Sequence, residues 1–541
     1  MGFAWKKAGC SMQMTIAGEG AAAGGRTIAA EPGETLLEAL RGADATVESP
    51  CGGNGTCGKC AVEVRRGQGG WERVLACQTP VEEGLAVRIP HAGDPLRVED
   101  GASLASLPAR FALDAAEPGQ LGVAVDLGTT TVAAYLHDLS TGKVLARAGR
   151  ANPQASFGAD VISRIHACSQ GELAQLQAAA AACLSDLAGE LCGAAHADVS
   201  RISRWAVAGN TVMQHILCGL SPESIGAYPF EPLSLFGEDA AIPSLSDRAY
   251  LCPCVSGYVG GDITAGIVVC GLDELVGGRA GASDGRAVEA VAPRRRNVLF
   301  ADLGTNGEMA LVADGELLCC ATATGPAFEG ANISQGMQAK AGAIDSCRFD
   351  DGAFAVTAID GAPPAGICGS GLIDALAACL EAGIVDETGR LLPSDELPAD
   401  RAHLVGLRDG KPAALLVPDG SVALEQRDIR ALQLAKAAVA AGIATLLGRA
   451  GISVDDVDEF VIGGAFGTHM RAESAAAIGL IPQGLLPRAR MVGNCAGAGA
   501  CAALLSGQAR GRMAFAAENA RYIELSLDGD FSEAYIDAME F

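Results

Sequence analysis

Two stretches of this chain repeat one pattern. Val123-Ala-Val-Asp-Leu-Gly-Thr-Thr-Thr-Val132 is echoed by Leu299-Phe-Ala-Asp-Leu-Gly-Thr-Asn-Gly-Glu308. Each copy reads as an apolar strand, an Asp-Leu-Gly-Thr turn and a second apolar strand. Each second strand runs to a hairpin signal, Asp138–Gly142 in one copy and Asp314-Gly315 in the other. A duplicated supersecondary unit predicts two similar lobes facing each other. The 541 residues are more than one ordinary domain needs, so the lobes leave room for further units.

Composition narrows the partners. Hydrophobic residues make up 49% and charged residues 19%, enough apolar material for large cores. The chain carries 39 basic and 64 acidic residues, a formal net charge of -25. A nucleic-acid surface or an anionic membrane surface needs clustered Lys and Arg, so neither is an expected partner. The 71 glycines and the 4% aromatic content favour sites built from backbone over stacking platforms. No run of 18 uncharged apolar residues is present. The first twenty residues lack an apolar signal-peptide core. The 19 cysteines are mostly scattered in apolar surroundings, which reads as free thiols in a reducing cytoplasm.

The expected organisation is a leader over 1–11, a small domain over 12–93, a Pro-containing linker over 94–120, and two lobes over 121–296 and 297–541. In the small domain, Gln13–Ala17, Arg26–Ala30, Ala61–Arg66 and Ala86–Ile89 read as strands, and Glu34–Arg41 as a short helix. Leu173–Ala197 and Ile429–Gly448 read as helices with apolar core faces.

Cys51, Cys57, Cys60 and Cys77 form C-x5-C-x2-C-x16-C, with Gly52, Gly53, Gly55 and Gly58 between the first three. An iron–sulfur cluster needs thiolates converging from a tight loop and backbone N–H groups aimed at sulfur, and glycines allow that curl. Zinc is the competing metal, but structural zinc sites usually pair two C-x2-C-like knuckles, and one is present here. Cys252 and Cys254, and the Cys319-Cys320 pair, read as buried thiols.

The two Asp-Leu-Gly-Thr turns present Gly and Thr N–H groups and hydroxyls suited to phosphate oxygens. An Asp at a strand end can hold the hydration shell of Mg²⁺. Asp126, Gly128, Thr129 and Thr130 supply this equipment in the first copy; Asp302, Gly304, Thr305 and Asn306 supply it in the second. Phe460-Val-Ile-Gly-Gly-Ala-Phe-Gly467 is an apolar strand running into a glycine turn, where Gly463, Gly464 and Phe466 could border a nucleoside. Asp262, after a glycine pair, is a candidate for positioning an attacking water, its alternative being a solvated loop carboxylate. Lys436 could reach adenosine, its alternative being a solvated helix lysine. His215 reads as a hydrogen-bonded core histidine. Glu329 could face nucleotide or a partner, its alternative being a turn-stabilising carboxylate. The Gly-Lys-Ser/Thr of a P-loop is absent.

These motifs resemble two known groups. The strand, helix and cysteine-loop order resembles the β-grasp 2Fe–2S ferredoxins, with the first spacing of their adrenodoxin-like branch. The paired phosphate loops and the glycine turn resemble the actin, Hsp70 and sugar-kinase superfamily. Gly369-Ser-Gly-Leu-Ile-Asp374 resembles one of that superfamily's inter-lobe connecting motifs, the other being Gly257–Gly266 or Asn494–Ala502. The combination, with Asn152-Pro-Gln154, Phe157–Arg164, Ala208–Thr211, Val255–Asp262 and Gly325–Gly330, resembles the reductive activators of corrinoid proteins. The fold class implied is multidomain, α+β and α/β: a β-grasp 2Fe–2S ferredoxin domain, a linker, and a two-lobed actin/Hsp70-like ATPase of ribonuclease-H-like repeats.

The resemblance implies ATP- and Mg²⁺-dependent reduction of inactive Co(II) to Co(I) in the corrinoid protein of a methyltransferase system. A 2Fe–2S cluster would pass the electron, taken from an external low-potential donor. Three other readings stay open: a redox-sensing ATPase switch, an activator of a different low-potential enzyme, and a sugar kinase.

Overall fold

The computed structural model describes residues 12–17, 26–43, 45, 47, 49, 53, 55, 60–67, 69–89, 104–277, 296–330, 333–464 and 470–541. The leader, Cys51, Cys57, Phe466 and the first part of the linker lie outside the described residues.

The N-terminal unit is a five-stranded sheet. Its strands are β1 (Met12–Ile16), β2 (Arg26–Ala30), β3 (Ala61–Arg65), β4 (Glu72–Leu75) and β5 (Leu85–Arg88), in the order β2-β1-β5-β3-β4. β1 pairs parallel with β5, and the other pairs are antiparallel. Helix α1 (Leu36–Gly42) starts at Thr35, whose side chain and that of Glu38 cap each other's backbone N–H. Leu36, Leu37 and Leu40 of α1 join Met14, Val62, Val64 and Val87 in one core. β4 escaped the sequence reading because its charged Glu72-Arg73 start hides a four-residue strand. The Arg41 guanidinium lies over the Phe157 ring of the first lobe, 5.0 Å from its centroid.

The segment expected as a linker is packed from Leu104 onward. Leu104, Leu107 and Phe111, around the single turn α2 (Leu107–Arg110), are buried against the first lobe. Asp114 accepts from the Gly507 N–H at 2.8 Å and pairs with Arg510 at 2.6 Å. Its leucines and Phe111 supply apolar anchors that proline content alone does not reveal.

The first lobe holds β6 (Leu121–Leu127), β7 (Thr131–Asp138), β8 (Val144–Ala151), β9 (Ile202–Gly209), β10 (Asp239–Ile242) and β11 (Ser246–Leu251), ordered β10-β11-β9-β6-β7-β8. Helices α3 (Val161–Ala167), α4 (Leu173–Ala194) and α5 (Thr211–Leu217) cover one face. Leu176, Ala180, Leu184, Leu187 and Leu191 form the buried stripe of α4. Helix α6 (Gly261–Cys270) then leaves the lobe.

The second lobe repeats the plan. β12 (Val298–Leu303), β13 (Gly307–Ala313) and β14 (Glu316–Thr322) form an antiparallel meander. Asp314 (φ 50) and Gly315 (φ 82) make its left-handed two-residue turn. An insertion follows: β15 (Ala343–Asp350), β16 (Ala353–Ala358) and β17 (Gly366–Ile367) form one three-stranded sheet, and helix α7 (Gly369–Glu381) comes next. β18 (Val405–Arg408), β19 (Lys411–Leu415) and β20 (Ala423–Glu425) form another. Helix α8 (Gln426–Ala450) leads to β21 (Glu459–Gly463), helix α9 (Ala472–Ala477) and β22 (Ala489–Gly493). After helices α10 (Cys495–Leu505) and α11 (Gly507–Asn519), β23 (Ala520–Tyr522) completes the sheet β22-β21-β12-β13-β14-β23, and α12 (Gly529–Asp537) follows.

The two large sheets correspond strand for strand: β8-β7-β6-β9-β11 matches β14-β13-β12-β21-β22, with the same antiparallel and parallel pairings. The duplicated motif therefore marks the first hairpin of each lobe. Helix α8 has the length and apolarity to cross a bilayer, yet Ile429, Leu432, Val439, Ile443 and Leu446 bury it in the second lobe's core.

The inter-lobe crossing corrects one expectation. Gly369–Asp374 opens α7, which packs under β15 and against α9 inside the second lobe. The helices that cross are α6 and α10. Ile263 and Ile267 of α6 sit with Phe300 and Ala310 of the second sheet, while Ala500 and Leu504 of α10 sit with Ala124 and Ala206 of the first.

Candidate nucleotide and cluster sites

The two Asp-Leu-Gly-Thr turns meet over one cavity of about 570 Å³, within the roughly 300–1,000 Å³ range of small-molecule sites. In the first turn, a Cβ on Gly128 would stand 2.5 Å from the Thr131 carbonyl oxygen, so the hairpin closes only on glycine. The Thr130 and Thr305 hydroxyls, one from each lobe, are 3.2 Å apart. Both donate to the Glu329 carboxylate, Thr305 at 2.7 Å. Behind the first turn, Arg164 donates to the Thr129 carbonyl, and Asn152 donates to the Gly128 carbonyl at 2.8 Å. Asn210 reaches the Thr129 hydroxyl at 3.0 Å.

Acidic side chains converge on this floor. Asp126 is the last residue but one of β6, Asp302 the last but one of β12, Asp262 lies in the first turn of α6, and Glu308 is the second residue of β13; all four line the cavity. Burial drives Asp302 up to about 8, with Asp262 and Asp126 adding repulsion. Burial likewise lifts Asp126 to about 7, opposed by a hydrogen bond from Asn494. Asp262 is pushed up to about 6 by burial, and Glu308 well above the carboxylate range by burial and by Asp262. Crowded carboxylates of this kind are stabilised by a cation. Among the described residues, no three His, Cys, Asp or Glu side chains come together as a bare-ion site. Mg²⁺ fits, because it keeps several waters and completes its shell with phosphate oxygens.

Gly464, directly after β21, abuts the second Asp-Leu-Gly-Thr turn. Gly464 has φ +94, and a Cβ there would stand 2.6 Å from the Leu303 carbonyl and 2.8 Å from Asp302 Oδ1. Gly463 packs behind, against Phe300. Gln338, Asp345, Asp360 and Ser370, from the chain between β14 and α8, also line the cavity.

Lys436 is elsewhere. Its ammonium donates to the Glu540 carbonyl and lies 4.7 Å from the Phe541 ring centroid, so it anchors the C-terminus. His215 is a core residue: its Nδ1 is 2.8 Å from the Thr211 carbonyl, and its Nε2 accepts the Leu233 and Ser234 N–H groups. Cys252, Cys254, Cys319 and Cys320 are buried free thiols.

Glu308, Asn210 and Asn494 are among the cavity residues given no role from sequence. Glu308 is the one charged residue of β13, and a lone carboxylate inside an apolar strand is a readable signal. Asn210 and Asn494 cap α5 and α10. Nothing in a capping asparagine's sequence context shows that its side-chain amide also reaches a loop.

In the small domain, Cys60 precedes β3 and Cys77 sits in the turn after β4, with Sγ atoms 3.2 Å apart and no disulfide between them. Gly53 and Gly55 have φ +98 and +74. A Cβ on Gly53 would lie 3.3 Å from Leu37 Cδ2, and one on Gly55 would lie 2.3 Å from Gln78 Nε2. Two glycines with positive φ beside two converging thiols fit a thiolate-held cluster.

Comparison with known proteins matches the chain domain by domain. Residues 19–82 match the model of the 2Fe-2S iron-sulfur cluster binding domain. Residues 121–275 match the RACo middle region, and residues 296–541 match the C-terminal domain of RACo, the ASKHA domain. The corrinoid activation enzyme RamQ of Eubacterium limosum is 33% identical over 432 residues, covering 77% of this chain and 69% of that protein. The chain belongs to the family of corrinoid activation enzymes.

A second member, the [Co(II) methylated amine-specific corrinoid protein] reductase of Methanosarcina barkeri, is 26% identical over 206 residues, 34% of each chain. A solved structure, a reductive activator for corrinoid,iron-sulfur protein, superposes with TM-score 0.68 at 29% identity over 98% of both chains. That activator therefore shares the fold of nearly the whole of this chain.

Proposed function

We propose that this protein reduces the corrinoid of a partner protein from Co(II) to Co(I), one electron at a time, and uses ATP to make that reduction possible. The observation that carries the reading is the pairing, on one chain, of a ferredoxin-type cysteine loop with two phosphate loops that meet across a lobe junction.

Cys51, Cys57, Cys60 and Cys77 hold the cluster in this reading. A 2Fe–2S cluster, when bound, supplies single electrons. Asp126 and Asp302 hold the water shell of Mg²⁺. The N–H groups of Gly128, Thr129, Thr130, Gly304, Thr305 and Asn306, with the Thr129 hydroxyl, hold phosphate oxygens. Gly463, Gly464 and Phe466 border the adenosine. Asp262, facing the same floor from α6, orients the attacking water, and Glu308 packs beside it.

Each 59 mV of unfavourable potential costs about tenfold in a one-electron equilibrium. ATP can shift that balance only by binding one arrangement of the lobes, or of the partner complex, more tightly than another. Threonines from both lobes that converge on one point supply such a differential contact. The partner is the corrinoid protein of a methyltransferase system, the electron comes from an external low-potential donor, and the setting is the reducing cytoplasm.

The test is ATP turnover with and without a Co(II) corrinoid protein. Turnover rises on addition of the partner in wild type and is lost in Asp302→Ala at unchanged iron content. Turnover indifferent to the partner would favour the redox-sensing switch.

A further inference from the structure

A pair of thiols stands where the two lobes cross. Cys270 is the last residue of α6 and Cys495 the first of α10, and their Sγ atoms are 3.5 Å apart with no bond between them. The helices themselves are in close contact. A Cβ on Gly499 would stand 2.3 Å from Ala265 Cβ, and one on Gly266 would stand 2.5 Å from the Phe300 ring. Each helix also reaches the nucleotide cavity: α6 begins with Asp262, and α10 is capped by Asn494, which donates to Asp126 Oδ2 at 2.7 Å. Any rotation of one lobe on the other has to slide α6 along α10.

We propose that Cys270 and Cys495 are an oxidisable dithiol whose disulfide pins α6 to α10 and so stops the lobes from moving. The partial exposure of Cys270 lets a small disulfide reach it, while Cys495 is buried behind it. Cys270 attacks one sulfur of the incoming disulfide and releases one thiol. Cys495 then attacks the mixed disulfide and releases the second. The pair loses two protons and two electrons, and the oxidant becomes two thiols. A bond of about 2.05 Å needs an approach of about 1.5 Å from the present separation. Small helix shifts of that size are of the kind that accompany lobe motion. The consequence for ATP rests on the nucleotide reading above; the thiol pair and the pinned crossing do not. Such a bond would halt ATP consumption when conditions are too oxidising for a low-potential electron to be delivered.

The experiment treats the full-length, cluster-loaded protein anaerobically with oxidised glutathione and then maps peptides by mass spectrometry. Hydrogen exchange and ATP turnover are followed on the same samples. The expected result is a Cys270–Cys495 linked peptide, exchange at α6 and α10 slowed about tenfold, and ATP turnover that falls and returns with dithiothreitol. Cys270→Ser should keep its reduced-state turnover and resist the oxidant, which separates the pair from any oxidation of the cluster. Absence of the linked peptide, or a linked protein whose helices exchange at the reduced rate, overturns the proposal. If the reduced protein itself shows no ATP turnover, the nucleotide reading fails; the linked peptide and the exchange data still decide the dithiol.

Discussion

Asn494 donates its side-chain amide to Asp126 Oδ2 at 2.7 Å, joining the first residue before α10 to the end of β6. The bond ties the helix that follows β22 to the Asp-Leu-Gly-Thr turn of the first lobe. It also holds the Asp126 carboxylate lower than burial alone would. Asn494→Ala is therefore expected to weaken MgATP binding. A hydrogen bond to a charged group contributes about 1.5–3 kcal/mol, so calorimetry should show a Kd raised about tenfold or more.

The α6–α10 crossing has no spare room. Gly499→Ala inserts a methyl group against Ala265, and overpacking of this kind costs about 1–3 kcal/mol. Chemical denaturation should register that loss. ATP turnover should fall more than stability does, because the displaced helices carry Asn494 and Asp262.

Gly55→Ala tests the cysteine loop without removing a thiol. The substitution forces a non-glycine residue to φ +74 and pushes on Gln78, beside Cys77. Iron and sulfide per chain should drop, while the thermal shift given by MgATP stays at the wild-type value. Full iron occupancy in this variant would mean that the loop's curl is not set by Gly55.

His137 gives a pH signature that is independent of both sites. It lies in β7, 1% exposed, and burial lowers its imidazole to about 4, with the Gly142 carbonyl only partly opposing. The unfolded chain takes up a proton near pH 6.5 while the folded one does not, so the unfolded state binds more protons below that point. The contribution is complete above about pH 6.5 and is lost as pH falls towards about 4. His137→Phe should flatten this slope in denaturant titrations between these limits. The difference between the two proteins isolates His137 from Asp126 and Asp302, whose raised values tilt stability the opposite way.

Much of this architecture was written in short strings. The duplicated Asp-Leu-Gly-Thr turns marked the first hairpin of each lobe, because a strand–turn–strand unit is local and in the first copy Gly128 leaves no room for a Cβ. The capped start of α1 and the stripe of α4 were equally local. What stayed hidden depends on contacts between distant segments. Phe111 and Leu107 look like loop residues until the α6 and α10 face that covers them is in place. Lys436 stands on a helix near the cavity in sequence terms, but only the returning C-terminus, with Glu540 and Phe541, shows which way its ammonium goes. The crossing helices were misassigned in part because Gly369-Ser-Gly and Asn494-Cys-Ala-Gly both look like glycine-rich helix starts. Which of them faces α6 is decided by the Gly499–Ala265 approach, and a glycine's neighbours across a helix interface leave no mark in its own sequence.

The central claim is that the cysteine loop delivers the electron and the lobe junction makes delivery depend on ATP. The most direct measurement follows the Co(II) band of a corrinoid protein giving way to the Co(I) band under strict anaerobiosis. It compares wild type with Cys60→Ser in the presence and absence of MgATP, with reductant throughout. Co(I) should form only with wild type and MgATP together, while Cys60→Ser still binds the nucleotide. Co(I) formed by Cys60→Ser at the wild-type rate, or by wild type without ATP, would contradict the account.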